Sequence, residues 1–80
     1  MSAFNLKYFG LIAEMTGVAE ELFSLDQIAS VHQLKTVLLE KYPSLSTVHF
    51  VIAVNQKIAN DEVIINAHDE LALLPPFAGG

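Results

Sequence analysis

The chain has 80 residues and a net charge of −5, with 52% hydrophobic and 16% charged residues. This composition excludes a disordered segment and predicts one small domain built around an apolar core. The four basic residues are scattered and are outnumbered by nine acidic ones, which argues against a nucleic-acid-binding surface. The absence of cysteine excludes disulfides, thiolate metal ligands and a thiol nucleophile.

The hydropathy pattern favours a cytoplasmic protein without membrane association. No apolar run approaches the roughly 20 residues that span a bilayer. The opening segment "MSAFNLKYFG" does not place a basic region before an apolar one, as a signal peptide does. The acidic surplus would suit a basic partner surface, but it also favours solubility, which is the simpler interpretation.

The first predicted element is a strand, because Phe4, Leu6 and Tyr8 alternate with residues of the opposite face. The segment "GLIAEMTG" that follows predicts a short helix, and Gly17 is placed to end it in a left-handed conformation. "EELFSL" then predicts a second strand.

The main helix is predicted after residue 30. Ser30 and Gln33 form a capping box, in which each side chain accepts a hydrogen bond from a backbone donor left free at the helix start. Pro43 ends the helix. Between these signals, apolar residues recur at helical spacing, namely Val31, Leu34, Leu38 and Tyr42.

Three further strands are predicted after the helix. "HFVIAVN" is rich in β-branched residues and is expected to be central, "KIAN" is long enough only for an edge strand, and "LALL" closes the sheet. The order is strand, strand, helix, strand, short strand, strand. This order predicts an α+β roll with one main helix packed across one face of a sheet.

The body of this domain contains no pattern typical of a catalytic or metal site. The three histidines share no metal-ligand spacing. The acidic neighbours at 20–21, 61–62 and 69–70 would point to opposite faces of a strand, so they cannot act as a paired acid and base. In turns they would be ordinary solvated residues.

The C-terminal segment "PPFAGG" differs from the body. Pro75 and Pro76 lack backbone donors and end sheet pairing. We therefore expect a folded domain over residues 1–74 and an extended, flexible tail over residues 75–80. A frayed terminus is the alternative interpretation, but such a terminus has little reason to begin with two prolines.

The composition of the tail indicates a function for its carboxylate. Gly79 and Gly80 can enter a narrow channel and leave the terminal carboxylate accessible to another protein's active site. Phe77 could anchor the tail in a partner pocket.

A second candidate surface lies on the sheet. The alternation that buries Tyr8 turns Phe9 the other way, and in the last strand Ala72 and Leu74 face away from the helix if Leu71 faces it. Apolar residues on that face suggest a contact patch.

The terminal block "DELALLPPFAGG" resembles the C-terminus of the small-subunit family of molybdopterin synthase. "YFGLIAEMTG" and "AVNQ" are also similar to segments of that family, and the helix end "LLEKYP" lies where the family places it. The resemblance implies a ubiquitin-like β-grasp fold with a mixed sheet, and a sulfur carrier function.

For the tail, the resemblance implies that an ATP-dependent, E1-like activating enzyme adenylates the carboxylate of Gly80, which then becomes a thiocarboxylate. Gly79 provides access. The sulfur is given to cyclic pyranopterin monophosphate in the active site of the large subunit. The carrier itself would be a non-catalytic subunit of a heterotetramer and would bind no cofactor and no metal. The implied partner-binding residues are Phe9, Ile58, Leu74, Pro75, Pro76, Phe77 and Ala78.

Three alternatives remain open at this point. A sulfur carrier for thiamine thiazole synthesis would share the fold, the Gly-Gly end and the activation, although such carriers usually lack the double proline. A ubiquitin-like protein modifier would be joined to target lysines through Gly80. A β-grasp binding module would tolerate the loss of Gly80.

Overall fold

The computed structural model describes residues 2–75, which form a five-stranded sheet crossed by one long helix. The strand order is β2-β1-β5-β3-β4, with β1 and β5 parallel and all other neighbours antiparallel. The elements are β1 (Ala3–Tyr8), α1 (Leu11–Thr16), β2 (Glu20–Ser24), α2 (Val31–Lys41), a 3₁₀ segment (Pro43–Thr47), β3 (Val51–Val54), β4 (Lys57–Ala59) and β5 (Glu70–Leu74).

This arrangement confirms the expected α+β class and the ubiquitin-like β-grasp topology. As expected, β4 is an edge strand and β3 lies inside the sheet, but the central strand is β5. The parallel pairing of β1 with β5 joins the first and last strands of the domain. It therefore places Pro75, which follows β5, beside Gly10, which follows β1.

The start of α2 follows the predicted capping box with one difference. Ser30 Oγ accepts a hydrogen bond from the backbone N–H of Gln33 at 3.3 Å. The Gln33 side chain accepts from the N–H of Ala29 at 2.7 Å, one residue before the expected donor. Together the two bonds satisfy backbone donors at the entrance to the helix.

The core lies between α2 and one face of the sheet. Val31, Leu34 and Leu38 of the helix are fully buried. Each such side chain contributes about 1.5–3 kcal/mol relative to its exposed state. The sheet residues in the same cluster include those predicted by alternation in β1 and β5, namely Phe4, Leu6, Tyr8, Leu71 and Leu73. Phe23 of β2 and Ile52 of β3 complete the sheet side of the core.

A polar cluster fastens the C-terminal end of α2 to the sheet, and we call it the Glu21 cluster. It consists of Glu21 on β2, Tyr8 on β1, and Lys41 and Tyr42 at the helix end. The Glu21 side chain is only 18% exposed. The prediction that Glu20 and Glu21 point to opposite faces of a strand is therefore confirmed, and Glu21 is the one that faces the helix side of the sheet.

Candidate functional site

The face of the sheet opposite α2 contains an open hollow of about 600 Å³, which we call the sheet hollow. Phe9, Ile58 and Leu74 supply its large apolar side chains. Its floor contains Ala53 and Ala72, which lie opposite each other in the pairing of β3 with β5. Because both floor residues are small, the larger side chains around them enclose a depression rather than a flat surface.

Strand alternation explains how these side chains reach one face. In β5, Leu71 and Leu73 are buried under α2, so Ala72 and Leu74 point to the opposite side. Ile58 is paired with Ala53 and shares its face. The prediction that Leu74 faces away from the helix is therefore confirmed.

Phe9 is held beside the end of β5 by the backbone. Its N–H donates to the carbonyl oxygen of Leu73 at 3.2 Å, which extends the β1–β5 pairing by one residue. The Phe9 side chain lines the sheet hollow and remains exposed, as predicted. The structure thus brings together the three residues that the family resemblance assigned to one patch. Phe9 and Ile58 are 45% and 57% exposed, and Leu74 is half-buried.

Polar and charged residues form most of the rest of the hollow's lining. They include one cation, Lys7, and two acidic residues, Asp69 and Glu70. Opposite Lys7, on β2, Glu20 accepts a hydrogen bond from the Asn5 side chain at 3.1 Å. The hollow is therefore apolar along one side and mainly acidic along the other.

The turn between β3 and β4 forms one end of the hollow and is held by Asn55. The Asn55 side chain donates to Asp69 Oδ1 and accepts from the backbone N–H of Glu70, each at 2.9 Å. Its own N–H donates to the carbonyl oxygen of Glu70 at 2.7 Å. The sequence did not indicate that Asn55 would tie this turn to β5.

The root of the C-terminal tail is fixed against the start of α1. Pro75 is half-buried and lies over Gly10, where an added Cβ would be 3.5 Å from Pro75 Cγ. Gly10 has a φ of 59° and a ψ of −136°, a conformation that is strongly unfavourable for any residue other than glycine. The remaining predicted tail residues, Pro76, Phe77, Ala78, Gly79 and Gly80, lie outside the described residues.

Three titratable groups form a largely exposed cluster near the start of α2. Lys35 Nζ lies 2.6 Å from Asp61 Oδ1, and His32 Nδ1 lies 3.9 Å from Asp61 Oδ2. The hydrogen bond from Lys35 lowers the pKa of the Asp61 carboxyl. Within the part of the chain that the structure describes, no group of His, Asp and Glu side chains could hold a metal ion.

No helix within residues 2–75 is both long enough and apolar enough to span a membrane.

Comparison with known proteins gives consistent results along the whole chain. The model of the ThiS family matches residues 6–80. The molybdopterin synthase sulfur carrier subunit of Caenorhabditis briggsae is 32% identical over 84 residues, which cover 100% of both chains.

Solved structures agree on the fold. The small archaeal modifier protein 1 of H. volcanii superimposes with a TM-score of 0.79 at 28% identity, over 96% of this chain and 100% of that protein. A chain in the complex of subunits 1 and 2 of molybdopterin-converting factor from Helicobacter pylori superimposes with a TM-score of 0.69. At 22% identity over 98% of this chain and 99% of that chain, the second likeness concerns the fold alone.

Proposed function

Because this chain belongs to the ThiS family, we propose that it is a sulfur carrier that serves as the small subunit of molybdopterin synthase. The observation that carries this proposal is the end-to-end similarity to a molybdopterin synthase sulfur carrier subunit. The proposal is consistent with a chain whose described residues contain no metal-binding group and whose sequence ends in Gly-Gly. The activity then resides in the terminal carboxylate of Gly80.

The chemistry begins with activation of that carboxylate. A carboxylate is a poor electrophile, so an E1-like enzyme transfers AMP from ATP to Gly80 and releases pyrophosphate. A sulfur nucleophile at the oxidation level of sulfide then attacks the acyl carbon, a C–S bond forms, and the C–O bond to AMP breaks. The product is a thiocarboxylate, whose sulfur is nucleophilic and can be passed to cyclic pyranopterin monophosphate.

The sheet hollow supplies the docking surface for this transfer. Leu74 lines the hollow and Pro75 follows it directly, so a partner bound there lies beside the root of the tail. The residues from 76 to 80 can span at most about 17 Å when extended. Docking on the hollow therefore keeps the carboxylate within a short reach of a partner's active site.

The body of the protein acts as the recognition element and the tail as the reactive element. Two enzymes must recognise the same body in turn, the activating enzyme and the large subunit. We place the protein in the cytoplasm, in a heterotetramer with two large subunits at its centre.

The experiment that tests this function is molybdopterin formation by the purified large subunit and the thiocarboxylated carrier. Full-length carrier should support product formation. Carrier that lacks Gly80, or that is extended by one residue beyond it, should not, although its thermal unfolding midpoint should be unchanged. Equal product from the truncated and full-length carriers would contradict the proposal.

A second candidate function is protein modification. It is favoured by the 28% identity and full coverage of the small archaeal modifier protein 1. The same acyl adenylate could react with a lysine ε-amine instead of sulfide, which would form an amide bond and release AMP. Adducts linked through Gly80 to lysines in cell extract would support this function, and their absence during active molybdopterin synthesis would argue against it.

A further inference from the structure

We infer that the side-chain amide of Gln56 is a partner-recognition group at the edge of the sheet hollow. This inference rests on the docking role proposed above and assigns to it a residue outside the apolar patch. Gln56 lines the hollow together with Ile58 and is exposed.

The backbone at Gln56 adopts a conformation that a glycine would adopt more readily. Val54 pairs with Lys57, so the β3–β4 loop consists of two residues, Asn55 and Gln56. Their φ angles are 52° and 71°. A two-residue hairpin loop with both φ angles positive strongly favours Asn-Gly, because any Cβ at the second position is crowded by the backbone.

The first loop residue is explained by contacts within the domain, but the second is not. Asn55 tolerates this conformation well, and its side chain forms two hydrogen bonds to β5 and the residue before it. The Gln56 side chain makes no hydrogen bond to any other residue between 2 and 75. The pairing of β3 with β4 requires this loop, but no side-chain hydrogen bond of Gln56 within the described part of the domain offsets its unfavourable backbone conformation.

An amide at this position has a specific chemical use. It offers one carbonyl acceptor and one NH₂ donor, which together match the N–H and C=O groups of a peptide backbone. In apolar binding sites, a few polar groups at the edge commonly fix the orientation of the bound partner. We therefore expect Gln56 to bond the main chain of a large-subunit segment that places an apolar side chain between Phe9 and Ile58.

The test compares Gln56→Gly with Gln56→Ala in the full-length chain. Both variants lack the side-chain amide, but only glycine adopts the positive φ angle without a steric cost. Gln56→Gly should raise the thermal unfolding midpoint by about 4 °C, whereas Gln56→Ala should not raise it. Both should weaken binding to the large subunit by about fivefold to tenfold, measured by titration calorimetry, which corresponds to the loss of one hydrogen bond.

The possible outcomes separate this inference from the docking role. If both variants bound the large subunit as tightly as wild type does, the inference about Gln56 would be overturned and the docking role would stand. Weaker binding of Gln56→Gly with normal binding of Gln56→Ala would also overturn it, because loop stiffness rather than the amide would then matter. A wild-type chain that fails to bind the large subunit would overturn the docking role and the inference together.

Discussion

The hydroxyl groups of Tyr8 and Tyr42 donate hydrogen bonds to the same atom, Oε1 of Glu21, each at 2.8 Å. The two rings meet edge to face, with centroids 6.2 Å apart and planes at 81°. The other oxygen of Glu21 pairs with Lys41 Nζ. One carboxylate thus joins β1, β2 and the C-terminal end of α2, on the far side of the sheet from the hollow.

Removal of this carboxylate should destabilise the domain. Glu21→Ala leaves two partly buried hydroxyl groups without an acceptor, so we expect a loss of about 2–3 kcal/mol in the free energy of unfolding. The matched control is its neighbour Glu20→Ala, on the exposed face, which should stay within about 0.5 kcal/mol of wild type. Denaturant titration of both variants measures the difference, and equal losses would contradict the assigned role.

The same cluster predicts an alkaline transition. Burial, and then the neighbouring Tyr42, raise the pKa of Tyr8 above its usual value of about 10. Above that pH the unfolded chain loses the Tyr8 proton while the folded chain keeps it. Stability should therefore be constant up to about pH 9 and fall above pH 10, by at most about 1.4 kcal/mol per pH unit for this group.

Tyr8→Phe is the variant that isolates this contribution, because it cannot ionise. Its stability should fall less steeply above pH 10 than that of wild type. Unfolding curves between pH 8 and 11 give both slopes. Parallel slopes would show that Tyr8 does not titrate as described.

The sheet hollow should govern partner binding with little effect on stability. Phe9 and Ile58 are 45% and 57% exposed, so Phe9→Ala and Ile58→Asp should each change the free energy of unfolding by less than about 1 kcal/mol. Both remove apolar contact from the centre of the proposed interface. We expect the affinity for the large subunit to fall by at least about tenfold.

The chain offers a matched control for these two changes. Leu22 lies on the same sheet face, is 72% exposed, and is outside the lining of the hollow. Leu22→Asp should bind the large subunit as wild type does in titration calorimetry. If Leu22→Asp and Ile58→Asp weakened binding equally, the effect would come from added charge and not from the hollow.

Most of the fold could be predicted from the sequence because its signals are local. Alternation in β1 and β5 identified the buried residues, and Ser30 with Pro43 gave the limits of α2. The role of Glu21 could not be predicted, since Glu20 and Glu21 look alike in the sequence. Only the register, in which Leu6 pairs with Glu21, brings that glutamate to the helix side.

The candidate site, like the fold, could be predicted only in part from the sequence. Strand alternation alone places Phe9 and Leu74 on the exposed face, without knowledge of the strand order. The hollow itself depends on Ala53 and Ala72, which become a common floor only through the pairing of β3 with β5. An alanine carries no such signal in isolation, because the floor exists only where Ala53 lies opposite Ala72.

The intact mass of the protein shows whether Gly80 carries sulfur. The measurement follows incubation with the activating enzyme, ATP and sulfide, with a chain lacking Gly80 as the control. If Gly80 carries sulfur, the mass of the full-length chain should increase by the replacement of one oxygen by one sulfur, and the mass of the control should not increase. An unchanged mass, with an activating enzyme shown to be competent on another carrier, would contradict this prediction.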